Sequence, residues 1–369
     1  MYNIQSHVRE HGDISLSRKP LDELDSLVLT QLCYMPMEGL LDGGGKTTVR
    51  DLWVFISLKY LDAFPTFYLR KCYYFLQSCA AAERYANLNL FDYVNHVDPA
   101  QETQFCACTF ALPGGARFIA FRGTDLSIVG WKEDFNMSFM TVPAQREAVQ
   151  YVERAAKAFG GPLILGGHSK GGNLALYAAC HTTDLIRRRI LQVYSFDGPG
   201  VDKPTLDGQG YQAVRGRVQS WVPQSSVIGM LLCYHPDYLV VQSDAVGLLQ
   251  HDVFTWHVLD GAFQQMEELS LSTRVTSEAF HRWLDLRTEE ERRFMVEVIF
   301  RIVSGIGRDD VSPLLEDFKG STVKMFSAFS KLDPDMRNRA VKMFAGLLST
   351  EAGLAVRQLL ANVLRTQGN

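Results

Sequence analysis

The sequence predicts an α/β protein built on a mostly parallel central sheet and followed by an all-helical C-terminal subdomain. Three observations predict this fold class. Short apolar runs of β type alternate with helical patterns between about residues 105 and 242, which is typical of parallel strands joined by covering helices. After about residue 260 the strand pattern stops and capped, amphipathic helices follow. The composition, 47% hydrophobic and 21% charged, is that of a folded globular protein.

The N-terminal region is predicted to be helical. Apolar residues recur at helical spacing over 21–41, and a second helical region, rich in aromatic residues, covers 53–77. Pro65 is expected to kink or divide the second helix, because proline lacks the N–H that a helix interior needs. From residue 105 the period is that of strands, and two such runs flank the turn signal Pro113-Gly-Gly115. They predict a hairpin over 105–121.

The rest of the chain is predicted to alternate strands with helices and then to become helical. Helices are predicted at 144–159 and 172–180, and strands at 162–165, 191–196, 216–222 and 238–242. Further on, Thr288 and Glu291 form a capping box, and Asp333-Pro334 is typical of a helix start. We therefore expect two domains, 1–270 with a helical N-terminal segment, and 271–369. The helical tail is expected to cover the first domain, dock a partner or form a dimer.

Composition limits the classes of function. A formal net charge of −4 without a dense cluster of Lys and Arg argues against a nucleic-acid partner. The first residues resemble no signal peptide, and no segment reaches the roughly 18–20 apolar residues of a membrane span. Seven scattered cysteines are typical of reduced thiols, so we expect a cytoplasmic protein. Cys106 and Cys108 lack a His or carboxylate at ligand spacing. They are interpreted as buried apolar residues, and no metal is expected.

One motif carries the chemistry. Gly167-His-Ser-Lys-Gly171 is a G-x-S-x-G pattern that follows the apolar run Pro162–Leu165 and opens the predicted helix Gly172–Cys180. A nucleophile elbow has this order of strand, sharp turn and helix, which exposes the serine hydroxyl at the carboxyl edge of the sheet. The helix N-terminus also favours negative charge there. The motif predicts Ser169 as a nucleophile, and a glycine-rich turn with an incidental serine is the alternative.

A second motif precedes the first. Phe121-Arg-Gly-Thr124, followed by Trp131 and Asp134, pairs with Gly167-His-Ser-Lys-Gly-Gly172, and together they resemble the signatures of the class 3, fungal-type lipases. The likeness covers about residues 10–260. It is closest to an uncharacterised bacterial, lipase-like subgroup, through segments that include Ser195–Gly200, Val222–Leu232 and Gln250–Asp252.

This resemblance implies an α/β-hydrolase fold and a reaction. The reaction is hydrolysis of a carboxylic ester, thioester or lipid ester through an acyl-enzyme on Ser169, with no cofactor. The partner is then a small acyl ester or a lipid. A peptidase or amidase, and a hydrolase-shaped binding or regulatory protein, are the alternatives.

The general base is sought after Ser169, because chain order in this fold is serine, acid, histidine. A serine hydroxyl needs an imidazole within hydrogen-bond reach before it becomes an effective nucleophile. His251 lies in a loop after the predicted strand 238–242 and aligns with the catalytic histidine of the family. His257 is the first alternative, ahead of His181, His235 and His281.

The acid is harder to assign. The resemblance predicts an aspartate before Val222-Pro223, but no carboxylate stands there. Asp197, at the end of the preceding predicted strand, is the candidate, as in pancreatic-type lipases, with Asp237, Asp244 and Asp252 as alternatives. For the oxyanion hole we expect the backbone N–H of Lys170 and Thr124 of the earlier loop. The ammonium group of Lys170 is expected to lie in solvent.

Overall fold

A computed structural model of the chain describes residues 2–59, 64, 66–98, 100–101, 103–124, 133, 136–137, 140–230, 237–304 and 327–348. The chain divides into two compact units. The larger comprises Met1–Asp125 and Thr141–Glu268, and the smaller comprises Leu126–Met140 and Leu269–Asn369.

The larger unit is built on a mixed sheet. Its strands are β1 (Lys46–Thr48), β2 (Asn89–Asp98), β3 (Thr103–Ala111), β4 (Arg117–Phe121), β5 (Leu163–His168), β6 (Ile190–Phe196), β7 (Val218–Pro223), β8 (Leu239–Val241), β9 (Val258–Leu259), β10 (Ala262–Phe263) and β11 (Gln265–Met266). Nine strands of the described residues form one sheet in the order β1-β2-β3-β4-β5-β6-β7-β8-β11, and β9 pairs with β10 separately. The pairs from β4 to β8 are parallel, and those on either flank are antiparallel. The predicted parallel strands are therefore the centre of a mixed sheet.

Helices cover both faces of this sheet. They are α1 (Ile4–His11), α2 (Glu23–Leu32), α3 (Val49–Ser57), α4 (Phe67–Ala81), α5 (Glu83–Ala86), α6 (Pro143–Ala158), α7 (Lys170–His181), α8 (Asp184–Arg187), α9 (Lys203–Asp207) and α10 (Gln209–Val214). A Cβ atom on Gly166 would meet Thr30 of α2, whereas one on Gly167 would meet Gly171 of α7. Because successive residues of a strand point to opposite sides, α2 and α7 lie on opposite faces.

The structure agrees with most predicted elements and corrects others. The hairpin over 105–121 is confirmed as the antiparallel pair β3 and β4. The helical region 53–77 is two helices, α3 and α4. The expectation of no strand after about residue 260 is wrong, because β10 and β11 lie there. Each has two residues, too few to show an alternating pattern. Strands β1 and β2 were not predicted. Cys106 and Cys108 are free and buried, as interpreted.

A buried ion pair anchors α2 to α5, and its arginine also binds the segment that precedes α2. The guanidinium group of Arg84 donates to both carboxylate oxygens of Asp25, at 2.6 and 2.5 Å, and the Tyr85 hydroxyl donates to one of them at 2.7 Å. The same guanidinium group also donates to the carbonyls of Ile14 and Lys19. These bonds satisfy a buried charge that would otherwise destabilise the fold. They fix the position of α2, from whose end Tyr34 reaches the candidate site.

In the smaller unit the helices with described bounds are α11 (Leu271–Asp285), α12 (Glu289–Ser304) and α13 (Pro334–Leu348). The predicted capping box is confirmed, because the N–H of Thr288 donates to the Glu291 carboxylate and the N–H of Glu291 to the Thr288 hydroxyl. The end of the predicted helical tail, residues 349–369, lies outside the described residues. No helix in the described ranges combines the length and hydrophobicity that crossing a membrane requires.

Candidate active site

The G-x-S-x-G motif forms a sharp turn between β5 and α7. The strand extends to His168, three residues further than predicted, and the helix begins at Lys170. Ser169 between them has φ 59° and ψ −132°, in the positive-φ region that residues other than glycine rarely occupy. Its N–H donates to the carbonyl of Phe196 at 2.9 Å. A strained serine at a strand-to-helix turn is the geometry of a nucleophile elbow.

The glycines of the motif permit the close approach of strand and helix. A Cβ atom on Gly167 would lie 2.1 Å from the carbonyl carbon and oxygen of Gly171, and one on Gly171 would lie 2.1 Å from the carbonyl oxygen of Phe121. On Gly172 it would lie 2.5 Å from the hydroxyl of Ser195. Two of the three contacts are with backbone, which cannot rotate away. Any side chain at these positions would push α7 from the sheet.

Asp197 and His251 lie together. The His251 Nδ1 is 2.6 Å from one carboxylate oxygen of Asp197. The other oxygen accepts hydrogen bonds from the Ser226 hydroxyl at 2.5 Å and from the N–H of Gly229 at 3.1 Å. Asp197 is only 1% exposed. A carboxylate can only accept here, so the Nδ1 carries the proton and the Nε2 of His251 keeps a lone pair that can accept another.

The alternative carboxylates have other partners in the structure. Their pairs are Asp237 with Arg215 at 3.1 Å, Asp244 with His257 at 2.6 Å, and Asp252 with Lys71. His257, the first alternative base, is therefore engaged with Asp244. His181, at the end of α7, stacks on Tyr177 and contacts the Thr205 hydroxyl. His281 lies in α11, and His235 lies outside the described residues.

The loop that contains Thr124 passes close to Ser169. A Cβ atom on Gly123 would lie 2.9 Å from the Cβ of Ser169, so the backbone before Thr124 is in contact with the elbow. Lys170 occupies the first position of α7, directly after Ser169. The expectation that its ammonium lies in solvent is wrong, because the residue is 1% exposed. Trp131 and Asp134 lie outside the described residues.

His168 connects the elbow to the loop of His251. Its Nε2 is 2.9 Å from the carbonyl oxygen of His251, and the two rings are 4.5 Å apart between centroids. Its Nδ1 is 3.0 Å from the hydroxyl of Tyr34. His168, Tyr34 and Ser226 were not predicted as site residues. The position of His168 within the nucleophile motif was a signal that could have identified it. The roles of Tyr34 and Ser226 depend on contacts between segments that are distant in the sequence.

Several solved structures are similar to this chain, each at low sequence identity and with a low TM-score. The chain is similar to a solved structure named M37 lipase, with 14% identity over 57% of this chain and 70% of that chain and a TM-score of 0.35. It is also similar to a Rhizomucor miehei lipase propeptide complex, with 17% identity over 43% and 57% of the two chains and a TM-score of 0.32. A fungal lipase–inhibitor complex, described as a model for interfacial activation in lipases, has 19% identity over 42% and 65% and a TM-score of 0.31.

This chain thus spans less than two thirds of two of those lipase chains. No curated protein is significantly similar to it. The sequence profile of the family described as Mbeg1-like matches residues 79–301, which include the elbow, Asp197 and His251. The match confirms the lipase-like resemblance of the motifs. The chain belongs to the Mbeg1-like family.

Proposed function

We propose that this protein is a serine hydrolase of the α/β-hydrolase type that cleaves a carboxylic ester or thioester through an acyl-enzyme on Ser169. The observation that carries the proposal is the Asp197–His251 pair at 2.6 Å, linked through His168 to a strained serine. An imidazole that a carboxylate orients can activate a serine hydroxyl for acyl transfer once the two come within hydrogen-bond reach.

In the proposed reaction the Ser169 oxygen attacks the acyl carbon while the His251 Nε2 takes the hydroxyl proton. The carboxylate of Asp197 stabilises the imidazolium ion that forms. Backbone N–H groups of Lys170 and Thr124 are proposed to donate to the oxyanion. The imidazolium returns its proton to the leaving oxygen or sulfur. A water molecule, deprotonated by the same imidazole, then releases the acid and restores Ser169.

An apolar acyl group is the proposed substrate feature. The loop that contains His251 and the loop that donates hydrogen bonds to Asp197 both expose aliphatic side chains. Val246 is 76% exposed and Leu249 59% exposed in the segment before His251, and Val227 is exposed beside Ser226. Apolar residues grouped on loops of a site favour apolar ligands. The lipid-like acyl chain implied by the family resemblance is consistent with these positions.

The test is hydrolysis of short p-nitrophenyl esters, together with labelling by a fluorophosphonate probe. Ser169→Ala should lower kcat by about 10³-fold or more and abolish labelling. Ser78→Ala, at a half-buried serine of α4, is the control and should keep both activities. Undiminished turnover in Ser169→Ala would refute the proposal. A folded wild type with neither turnover nor labelling would favour a binding protein, and preferential cleavage of amides would favour a peptidase.

We also propose that residues 271–369 form a helical subdomain that covers the site, docks a partner or mediates a dimer, and contributes no catalytic atom. The capped helices α11 and α12 support this, as does a small apolar cluster of Trp283, Met295 and Met343. Light scattering of the full chain tests the dimer. A monomer at micromolar concentration would leave cover and docking as the candidate roles. The cytoplasmic location stays a prediction.

A further inference from the structure

The imidazole of His168 is held between two groups of different chemistry. It is 2% exposed, and its Nε2 faces the carbonyl oxygen of His251 at 2.9 Å. A carbonyl oxygen can only accept, so the Nε2 must carry the proton. The Nδ1 then has a lone pair, which accepts from the Tyr34 hydroxyl at 3.0 Å. The structure thus defines one tautomer of His168 and one direction for both hydrogen bonds.

Burial preserves this direction of the two hydrogen bonds, because it keeps both His168 and Tyr34 neutral. Burial, with a smaller effect of the neighbouring His251, holds the pKa of His168 well below its usual value. Burial likewise raises the pKa of the Tyr34 phenol well above its usual value. Both groups therefore stay neutral at physiological pH. The second nearby phenol, Tyr68, lies 3.4 Å from the same Nδ1 but donates to the Gln31 side-chain oxygen at 2.6 Å.

The segment that carries His251 is held by several hydrogen bonds, of which the bond from His168 joins it to the residue before Ser169. It is a short 3-10 turn, Gly247–His251, preceded by the exposed Val246 and with Leu249 exposed within it. The side chain of His251 is held at its Nδ1 by Asp197. A ring held at one atom can still shift if its backbone moves. The bond from His168 fixes that backbone, and His168 is the residue directly before Ser169, so base and nucleophile share one support.

We propose that His168 is a positioning residue that holds His251 in register with Ser169 through its Nε2–H, with Tyr34 fixing the tautomer. The inference rests on the proposed function, because it assigns His168 a role in the reaction of Ser169. His168 itself touches no reacting atom.

Two substitutions of His168 separate positioning from packing. His168→Leu fills a similar volume without a donor and leaves the His251 carbonyl without its partner. It should lower kcat about 10-fold to 100-fold, with KM changed by less than about twofold. His168→Gln retains an N–H near the position of the Nε2 and should restore most of the lost kcat. Tyr34→Phe should lower kcat in the same sense, whereas Tyr68→Phe, whose hydroxyl donates to Gln31, is the matched control and should not.

A second readout needs no turnover. The proton that His251 Nδ1 shares with Asp197 should give a strongly deshielded NMR signal in the wild type and in Ser169→Ala. We expect His168→Leu to broaden or remove that signal by exchange with water, and His168→Gln to retain it.

Three results decide the inference. A His168→Leu protein with wild-type kcat and an unchanged proton signal would overturn it. Equal losses of kcat and of unfolding temperature in the His168→Leu and His168→Gln variants would also overturn the inference, because a role in packing alone would be disturbed by both substitutions. If the wild type hydrolyses no ester but the signal responds to the two variants as expected, the proposed function fails and the positioning of His251 by His168 stands.

Discussion

Replacing Asp197 by Asn tests the candidate site most directly, because the amide has nearly the shape of the carboxylate. The side-chain oxygen of Asn can still accept from the Ser226 hydroxyl and the N–H of Gly229. Its NH₂ group would then face the His251 Nδ1 across the present 2.6 Å contact. Because the NH₂ group donates, the His251 Nδ1 must present a lone pair to it, and the ring proton of His251 therefore moves to the Nε2. That nitrogen can then no longer take a proton from Ser169.

The expected magnitude follows from this change of tautomer. The equivalent substitution in a serine protease triad lowers kcat about 10⁴-fold, which is about 5.4 kcal/mol of transition-state stabilisation. The free energy of unfolding should change far less, by about 1 kcal/mol, because two of the three hydrogen bonds of Asp197 remain. Initial rates on p-nitrophenyl acetate and urea unfolding of the same preparations measure the two quantities. KM should remain close to the wild-type value.

Asp244→Asn is the control, since Asp244 is also paired with a histidine at 2.6 Å, namely His257. Within the part of the chain that the structure describes, this pair has no hydrogen bond to the elbow, so kcat should stay within about threefold of wild type. If Asp197→Asn kept more than about a tenth of wild-type kcat, Asp197 would not be the acid and the assignment of His251 would lose its support. If instead Asp244→Asn proved the inactive variant, His257 would become the base.

Two further predictions concern stability. Gly171→Ala should lower the free energy of unfolding by about 1–3 kcal/mol, because the new Cβ would lie 2.1 Å from the carbonyl oxygen of Phe121. Gly160→Ala is the control and should be nearly neutral in urea unfolding, because the space around Gly160 is open. Equal stability of the two variants would contradict the packing argument. Burial lowers the pKa of His7 to about 4, so the unfolded chain binds a proton below pH 6.5 that the folded chain binds only near pH 4. Stability should therefore fall as the pH is lowered from 6.5 to 4, by up to about 1.4 kcal/mol per pH unit from this group. His7→Leu should reduce that slope, and parallel slopes in urea unfolding between pH 7 and 4.5 would refute the reasoning.

The alternation of strands and helices in the centre of the chain could be predicted because those strands are apolar and bounded by turn residues. Strands β5 to β8 lie in the parallel part of the sheet, where continuous apolar runs are expected. By contrast, β2 runs along Asn89–Asp98 and is mostly half-buried or exposed, with apolar and polar residues mixed along it. Its partners are antiparallel strands near the edge of the sheet. No periodic signal in the sequence marks such a strand, and pairing with β3 decides its conformation.

The elbow was visible in the sequence for a similar reason. Its constraint is local, since Gly167 and Gly171 contact each other within one turn. The hydrogen bonds that surround the base are not local. His168 reaches a residue 83 positions away, and Tyr34 reaches His168 over 134 positions. Only the paired strands bring these residues together, so a single sequence shows the candidate nucleophile more clearly than the groups that would orient its base.

The acid illustrates how the sheet resolves what a motif leaves open. Asp197 follows β6, and the segment after Val222-Pro223 follows β7, which is the parallel neighbour of β6. Both strand ends therefore lie at the same edge, and a carboxylate on either could face the His251 loop. In this chain the segment after β7 supplies no carboxylate but contributes the Ser226 hydroxyl and the Gly229 N–H, which hold the carboxylate that follows β6. A Cβ on Gly229 would lie 2.5 Å from that same carboxylate oxygen, so the residue at this position must be small. No acid stands before Val222-Pro223, and the segment after β7 instead supplies the donors that bind the Asp197 carboxylate. The ends of β6 and β7 thus build a single carboxylate site together.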